Sequence, residues 1–111
     1  MGFNQIDITD FQKLDLRVGT IKQAERVPNT KKLYKIKVDL GELGVKQTVA
    51  GLVGHYLPEE LVGKKIVFLS NLKPVTLAGE TSEGMLLASE KDGKVALLTV
   101  DREIPDGSKI R

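Results

Sequence analysis

Few residues in this chain could do covalent chemistry. His55 is the only histidine and cysteine is absent, which excludes thiolate nucleophiles, disulfides and the usual zinc constellations. His55 is read as a surface or structural residue. Ser82 is the hydroxyl worth testing as a nucleophile, but Ser82-Glu83-Gly84 lacks the glycine two residues upstream that a nucleophile elbow requires. No Walker or dinucleotide glycine pattern occurs. The GXXG tetrapeptide at 41–44 carries Glu42, which would repel phosphate, and it lies between two strand-like runs. The expectation is a binding protein rather than an enzyme, with no metal and no cofactor.

The other available chemistry is anion binding. Lys and Arg number 17 against 15 acids, a net +2, and the excess is concentrated in one region. Residues 1–16 carry −2, residues 17–73 carry +6 and residues 74–111 carry −2. A basic middle suits a polyanion-binding face, because phosphate neutralisation supplies much of nucleic-acid affinity. The alternative is a solvated lysine-rich surface of the kind thermostable proteins favour. Only five aromatics are present, Phe3, Phe11, Tyr34, Tyr56 and Phe68, and Tyr34 and Phe68 read as core. A stacking platform for single-stranded nucleic acid is therefore disfavoured.

Short strands must position these charges. Thr9 with Gln12 forms a capping-box pattern, and Ile8, Phe11 and Leu14 make an apolar stripe, predicting a helix to about residue 14. The run 15–25 alternates as a strand, with Gly19 where a bulge or bend would need a missing side chain. Residues 33–40 place Tyr34, Ile36, Val38 and Leu40 on one face and Lys35, Lys37 and Asp39 on the other. A turn at 41–44 leads to a third strand over roughly 45–52. Pro58 opens a one-turn helix, PEEL, that Gly63 stops. KKIVFLSNL reads as a strand buried on both sides, and GMLLA and VALLTV as two more. Five or six short strands with a short helix before the fourth predict an all-β, five-stranded OB-fold barrel. In that architecture the strand 2 and 3 surface and its neighbouring loops bind oligonucleotides, and here the surface would display Lys35, Lys37 and Lys46.

With 111 residues, 41% apolar and 29% charged, one soluble domain over 1–111 is expected. Within it, 1–14 form an N-terminal helical segment and 90–111 a C-terminal extension. The opening MGFNQIDITDF has no cationic start, Ile6 spoils a myristoylation pattern, and the apolar run at 66–69 is far short of the ~20 residues of a membrane span. A cytoplasmic location is the default expectation.

Several ordered blocks carry a resemblance across residues 11–111. They are DLRVG at 15–19, AERVPN at 24–29, KLYKIKVDLG at 32–41, VAGL at 49–52, PEELVGKK at 58–65, NLKPVTLAG at 71–79 and SEGMLLAS at 82–89. Together they resemble the tRNA-binding OB-fold domain of methionyl-tRNA synthetases (C-terminal or beta-subunit part), of free-standing dimeric tRNA-binding proteins and of endothelial monocyte-activating polypeptide II. The resemblance implies an OB barrel with a C-terminal extension that recognises folded tRNA by shape. It implies Asn71 with Lys73 and Ser82 with Met85 as contacts, and Lys32 and Arg17 as phosphate-directed charge. The residue chemistry suits those roles, but each residue also has a second reading. Asn71 could satisfy backbone groups in a turn, Ser82 could cap a turn, Met85 could fill core, Lys32 could lie in a solvated turn, and Arg17 could be a strand-face ion pair.

The resemblance further implies a homodimer, with a methionyl-tRNA synthetase catalytic subunit as a second partner. Apolar ends, Phe3, Ile6 and Ile8 against Ile104, Pro105 and Ile110, fit that dimer, and docking onto the chain's own barrel is the alternative. A related bacterial branch resembles a secretion-associated chaperone that binds exposed polypeptide. The NLKP and SEGM blocks favour the synthetase-like branch.

Overall fold

The computed structural model describes residues 4–111. Its organising strand is β2 (Tyr34–Asp39), where Tyr34, Ile36 and Val38 are buried and Lys35, Lys37 and Asp39 are only partly covered, as the alternation requires. A 3-10 turn at Gly41–Leu43 returns the chain into β3 (Val45–Ala50), antiparallel to β2. On its other side β2 pairs with β1 (Leu16–Arg26), a strand long enough to serve two neighbours. The C-terminal half of β1 pairs with β2, and its N-terminal half pairs with β4 (Lys65–Leu69). With β7 (Met85–Leu86) the sheet runs β3-β2-β1-β4-β7. Sharing one long strand between two partners lets a twisted sheet curl toward closure, giving the expected OB-type barrel.

Inside it, Ile21, Ile36, Val38, Leu40, Leu61, Ile66 and Phe68 have no exposed surface. Each such side chain contributes about 1.5–3 kcal/mol relative to exposure. A second cluster of Leu16, Val67 and Leu69, with Phe11, Leu87 and Ile110 packed on it, covers the opposite face of β4. Two clusters on one strand explain why KKIVFL reads as continuously apolar.

Three local expectations are corrected. α1 (Ile8–Phe11) is capped by Asp7, whose N–H donates to Asp10 Oδ2 at 3.3 Å, rather than by Thr9 with Gln12. It is one turn long, and Ile8 and Leu14 of the expected stripe are exposed. Gly19 is not at a bulge; the register shifts between Ile21 and Gln23. A Cβ at residue 19 would come 2.6 Å from Val38 Cγ1 and 2.7 Å from Leu40 Cδ2, so the missing side chain makes room for core neighbours. Residues 75–82, which had no assigned strands, form a hairpin of β5 (Val75–Leu77) and β6 (Glu80–Ser82). α2 (Pro58–Leu61) is where PEEL places it, with Leu61 buried.

After a hairpin of β8 (Ala88–Lys91) and β9 (Lys94–Leu97), the chain returns along the remaining edge of β1. Gly107 N–H donates to Val18 O at 2.7 Å, Val18 N–H to Ser108 O at 2.9 Å and Ile110 N–H to Leu16 O at 2.9 Å. Asp106 Oδ1 accepts from Thr20 Oγ1 at 2.7 Å and Lys65 Nζ at 3.1 Å, fixing the start of this segment. The two apolar ends thus differ. Ile110 packs on the chain's own barrel, whereas Ile6 and Ile8 are 70% and 68% exposed. Phe3 lies outside the described residues.

Candidate nucleic-acid interface

The barrel closes between β3 and the segment leading into β7 with few backbone bonds and several side-chain ones. Glu83 N–H donates to Gln47 O at 2.8 Å, and Gln47 N–H donates back to Glu83 Oε1 at 2.9 Å. Ser82 Oγ accepts from Val49 N–H at 3.1 Å, lies 3.2 Å from Thr48 Oγ1 and can donate to Gly84 O at 3.2 Å. Thr48 Oγ1 donates to Gly84 O at 2.8 Å. Gly84 must be glycine, since a Cβ there would be 2.4 Å from Leu69 O and 2.6 Å from the Phe68 ring. This seam carries the β5–β6 hairpin as an arm beside the outer face of β2 and β3. Gln47 Nε2 holds Thr81 O at 2.8 Å, and Lys35 Nζ faces Glu80 Oε2 at 3.8 Å. Residues 71–79 are all exposed.

The expected site residues separate into two groups. Ser82 is 7% exposed with its hydroxyl engaged in the seam, so it supports Met85 instead of presenting itself. The Asn71 side chain ties two backbone groups together, accepting from Asp15 N–H at 2.9 Å and donating to Lys13 O at 2.7 Å. Its second reading, as a residue satisfying backbone groups, describes the geometry. Arg17 donates from Nε to Asp15 Oδ1 at 2.8 Å and from Nη1 to Gly107 O at 3.1 Å, which commits it to the β1 and tail junction.

Asp15 completes that junction. Ser70 Oγ donates to Asp15 Oδ2 at 2.6 Å, and this bond, then the charges of Arg17 and Lys109, hold the carboxyl below its ordinary pKa against the opposing effect of burial.

The second group faces outward. Lys32 and Lys73 are exposed, Met85 is 45% exposed on β7, and Lys37 is partly covered; Lys31, which was not among the expected residues, is exposed beside Lys32. Among the described residues these four lysines make no salt bridge within 4.0 Å. The backbone under Lys31 and Lys32 is fixed, with Arg26 Nη2 donating to Lys31 O at 3.1 Å and Val53 N–H to Lys32 O at 3.1 Å. Lys35 and Lys37 share the outer face of β2, paired across from Val49 and Gln47. Lys46 does not join them. It lies opposite Val38, and directly opposed residues project to the same side, so it belongs to the other face of the pleat. Tyr34 and Phe68 are buried, and Tyr56 accepts Leu97 N–H on its hydroxyl at 3.1 Å with Lys64 Nζ 5.7 Å from its ring centroid. No fully exposed aromatic occurs among the described residues. The arrangement offers lysine charge, an adaptable thioether and an exposed arm edge to a phosphate backbone with a few reachable bases.

Residues 16–109 match the family model described as "Putative tRNA binding domain". The chain belongs to this tRNA-binding-domain family. It is 55% identical over 108 residues to the methionine–tRNA ligase of Methanocaldococcus jannaschii, a match covering 96% of this chain and 16% of that protein. Its structure is similar to that of a MetRS-related protein from Pyrococcus horikoshii, with TM-score 0.91, 40% identity, and 98% of this chain and 100% of that one covered. It is also similar to the chaperone CsaA from Bacillus anthracis, with TM-score 0.88, 38% identity, and 97% and 100% covered. The chain spans about a sixth of the length of the curated relatives it matches.

Family membership accounts for the ordered blocks quoted from the sequence, and the geometry sorts them by role. In this tRNA-binding domain, the DLRVG block and the Asn of NLKP build the junction of barrel and tail, and the Ser of SEGM builds the closure seam. The Lys of NLKP and the Met of SEGM remain at the surface. Gln47, Glu80 and Glu83, which position the arm, were not singled out by the sequence. The available signal was the polar run Lys46-Gln47-Thr48 between the apolar residues of β3. Among the described residues no group of His, Asp and Glu could hold a metal ion, and no helix is long and apolar enough to cross a membrane.

Proposed function

We propose that this chain binds folded tRNA and catalyses nothing itself, gripping phosphates across the outer face of β2, the turn at 27–33 and the arm at 71–84. The observation that carries the reading is that Lys31, Lys32, Lys37 and Lys73 have no carboxylate partners among the described residues and lie on the elements an OB-fold uses for nucleic acid. Shape selectivity follows from the shortage of exposed aromatics. Without a stacking platform, single strands gain little, whereas a folded RNA presents phosphates and 2′-hydroxyls in fixed positions. The 55% identity to one segment of a methionine–tRNA ligase supports a role as the tRNA-holding domain or separate beta subunit of such an enzyme, in the cytoplasm. Exposed Ile6 and Ile8 support homodimerisation, which would add avidity through a second RNA face.

The likeness to CsaA, together with exposed Leu72, Val75 and Leu77 on the arm, favours a second reading in which the same surface holds unfolded polypeptide. A filter-binding titration of mixed tRNA, an unstructured RNA of equal length and a DNA duplex at two salt concentrations separates the two. Preference for tRNA supports the first reading. Equal or absent nucleic-acid binding, with retention of an unfolded polypeptide, replaces it with the second.

A further inference from the structure

The arm presents two carboxylates to the basic face, and they are used differently. Glu83 is engaged at the seam through a backbone N–H at 2.9 Å. Glu80 has one ionic partner, Lys35, at 3.8 Å, and neither side chain makes a closer hydrogen bond among the described residues. Both remain partly open, at 27% for Lys35 and 31% for Glu80. Lys35 stands on the outer face of β2 two residues from Lys37, in the middle of the proposed phosphate track.

We propose that Glu80 is a built-in competitor for phosphate at Lys35, a specificity-determining residue that RNA must displace. The inference rests on the nucleic-acid reading above. A long, partly exposed ion pair is weak, so displacement is easy for a ligand that is held elsewhere. The same pair is intramolecular, and a short tether gives Glu80 an effective concentration on the order of millimolar. A weak pair costs any phosphate ligand the same few-fold factor. A free mononucleotide takes that factor from a single contact, whereas a polyanion already seated on Lys32, Lys37 and Lys73 presents its next phosphate at a comparable local concentration and keeps its hold. Glu80 therefore leaves useful affinity only to continuous phosphate backbone.

Displacement also reaches the arm. Glu80 follows the Ala78-Gly79 turn, and β5 and β6 pair as strands only with each other. Once Lys35 turns to phosphate, the outer end of the arm is free on that side. The Gln47 Nε2 bond to Thr81 O and the Ser82 seam remain as its hinge. Occupancy of Lys35 is thereby coupled to where the outer end of the arm and Lys73, which leads into it, lie.

The test is a double-mutant cycle of Glu80→Gln, Lys35→Gln and the double variant, with tRNA affinity measured at two salt concentrations and AMP as competitor. Urea midpoints confirm that each variant is folded. In the wild-type background Lys35→Gln should weaken tRNA by less than about two-fold, because Glu80 already occupies the ammonium. Glu80→Gln should tighten tRNA by about three-fold, an effect that shrinks with added salt, and should lower the inhibition constant of AMP by a similar factor. In the Glu80→Gln background Lys35→Gln should then cost about five-fold. An additive cycle, or a Glu80→Gln variant that binds tRNA no better than wild type with an unchanged urea midpoint, overturns the role of Glu80 and leaves the tRNA reading intact. Failure of the wild-type protein itself to bind tRNA overturns both.

Discussion

Truncating Ser82 to alanine separates two roles that a binding assay alone would confuse. In the folded protein, Ser82 Oγ is the acceptor for the buried Val49 N–H at 3.1 Å and lies against Thr48 Oγ1 and Gly84 O. Thr48 keeps its own bond to Gly84 O at 2.8 Å, so the substitution orphans one buried donor rather than a network. Leaving a buried backbone donor unsatisfied costs about 1–3 kcal/mol, and ~2 kcal/mol is the expected loss here. With a urea m-value of about 1–3 kcal/mol/M for a domain this size, the midpoint should fall by roughly 1 M. Paired with a tRNA titration on the folded variant, the experiment gives an asymmetric expectation. Stability drops, the salt slope of binding is unchanged, and affinity weakens only as far as Met85 loses its support. A Ser82→Ala variant with wild-type stability and strongly weakened tRNA binding would refute this reasoning and return Ser82 to direct contact with RNA.

Other consequences follow from the same geometry. Lys73→Gln should weaken every tRNA about equally and flatten the salt dependence of log K by roughly 0.7–0.9, as one lost phosphate contact does; a change confined to one tRNA would point to base reading instead. Gly84→Ala, which puts a Cβ 2.4 Å from Leu69 O, should destabilise by at least about 3 kcal/mol in urea unfolding, and an unperturbed midpoint would contradict the close approach. Asp15, whose pKa is lowered chiefly by Ser70, contributes stability that is present above the ordinary carboxylate value of 3.8 and lost as pH falls through its lower folded value. Acid unfolding of Asp15→Asn should therefore show a shallower stability loss below that pH than wild type, and identical acid limbs would count against the junction as drawn.

Legibility from sequence followed side-chain periodicity. β2 and the Pro58 helix were readable because alternation and a proline at the first helical position have direct geometric causes. β4 was readable for a different reason, since it is packed on both faces and shows no alternation at all. The β5–β6 arm was not readable, because its turn places Ala78 at φ 50 and Gly79 at φ 83, and alanine is not the residue a type I′ turn announces.

Gly19 shows that composition can reveal a missing side chain without revealing its cause, which here is Val38 and Leu40 on the neighbouring strand. The candidate site divided in the same way. Lys32, Lys37, Lys73 and Met85 stay at the surface, whereas Asn71, Ser82 and Arg17 serve backbone groups distant in sequence. A polar residue in an irregular segment gives no sign of which way it points, and only the assembled seam decides. Glu80 and Gln47 escaped notice because each matters through a partner 34 or more residues away.

The most direct test of the central claim is lysine footprinting by acetylation and mass spectrometry, with and without saturating tRNA at physiological salt. Bound tRNA should protect Lys31, Lys32, Lys37 and Lys73 and leave Lys91 and Lys94 on the β8–β9 hairpin unchanged. Uniform reactivity across all of them, or protection confined to the β8–β9 hairpin, would contradict that claim.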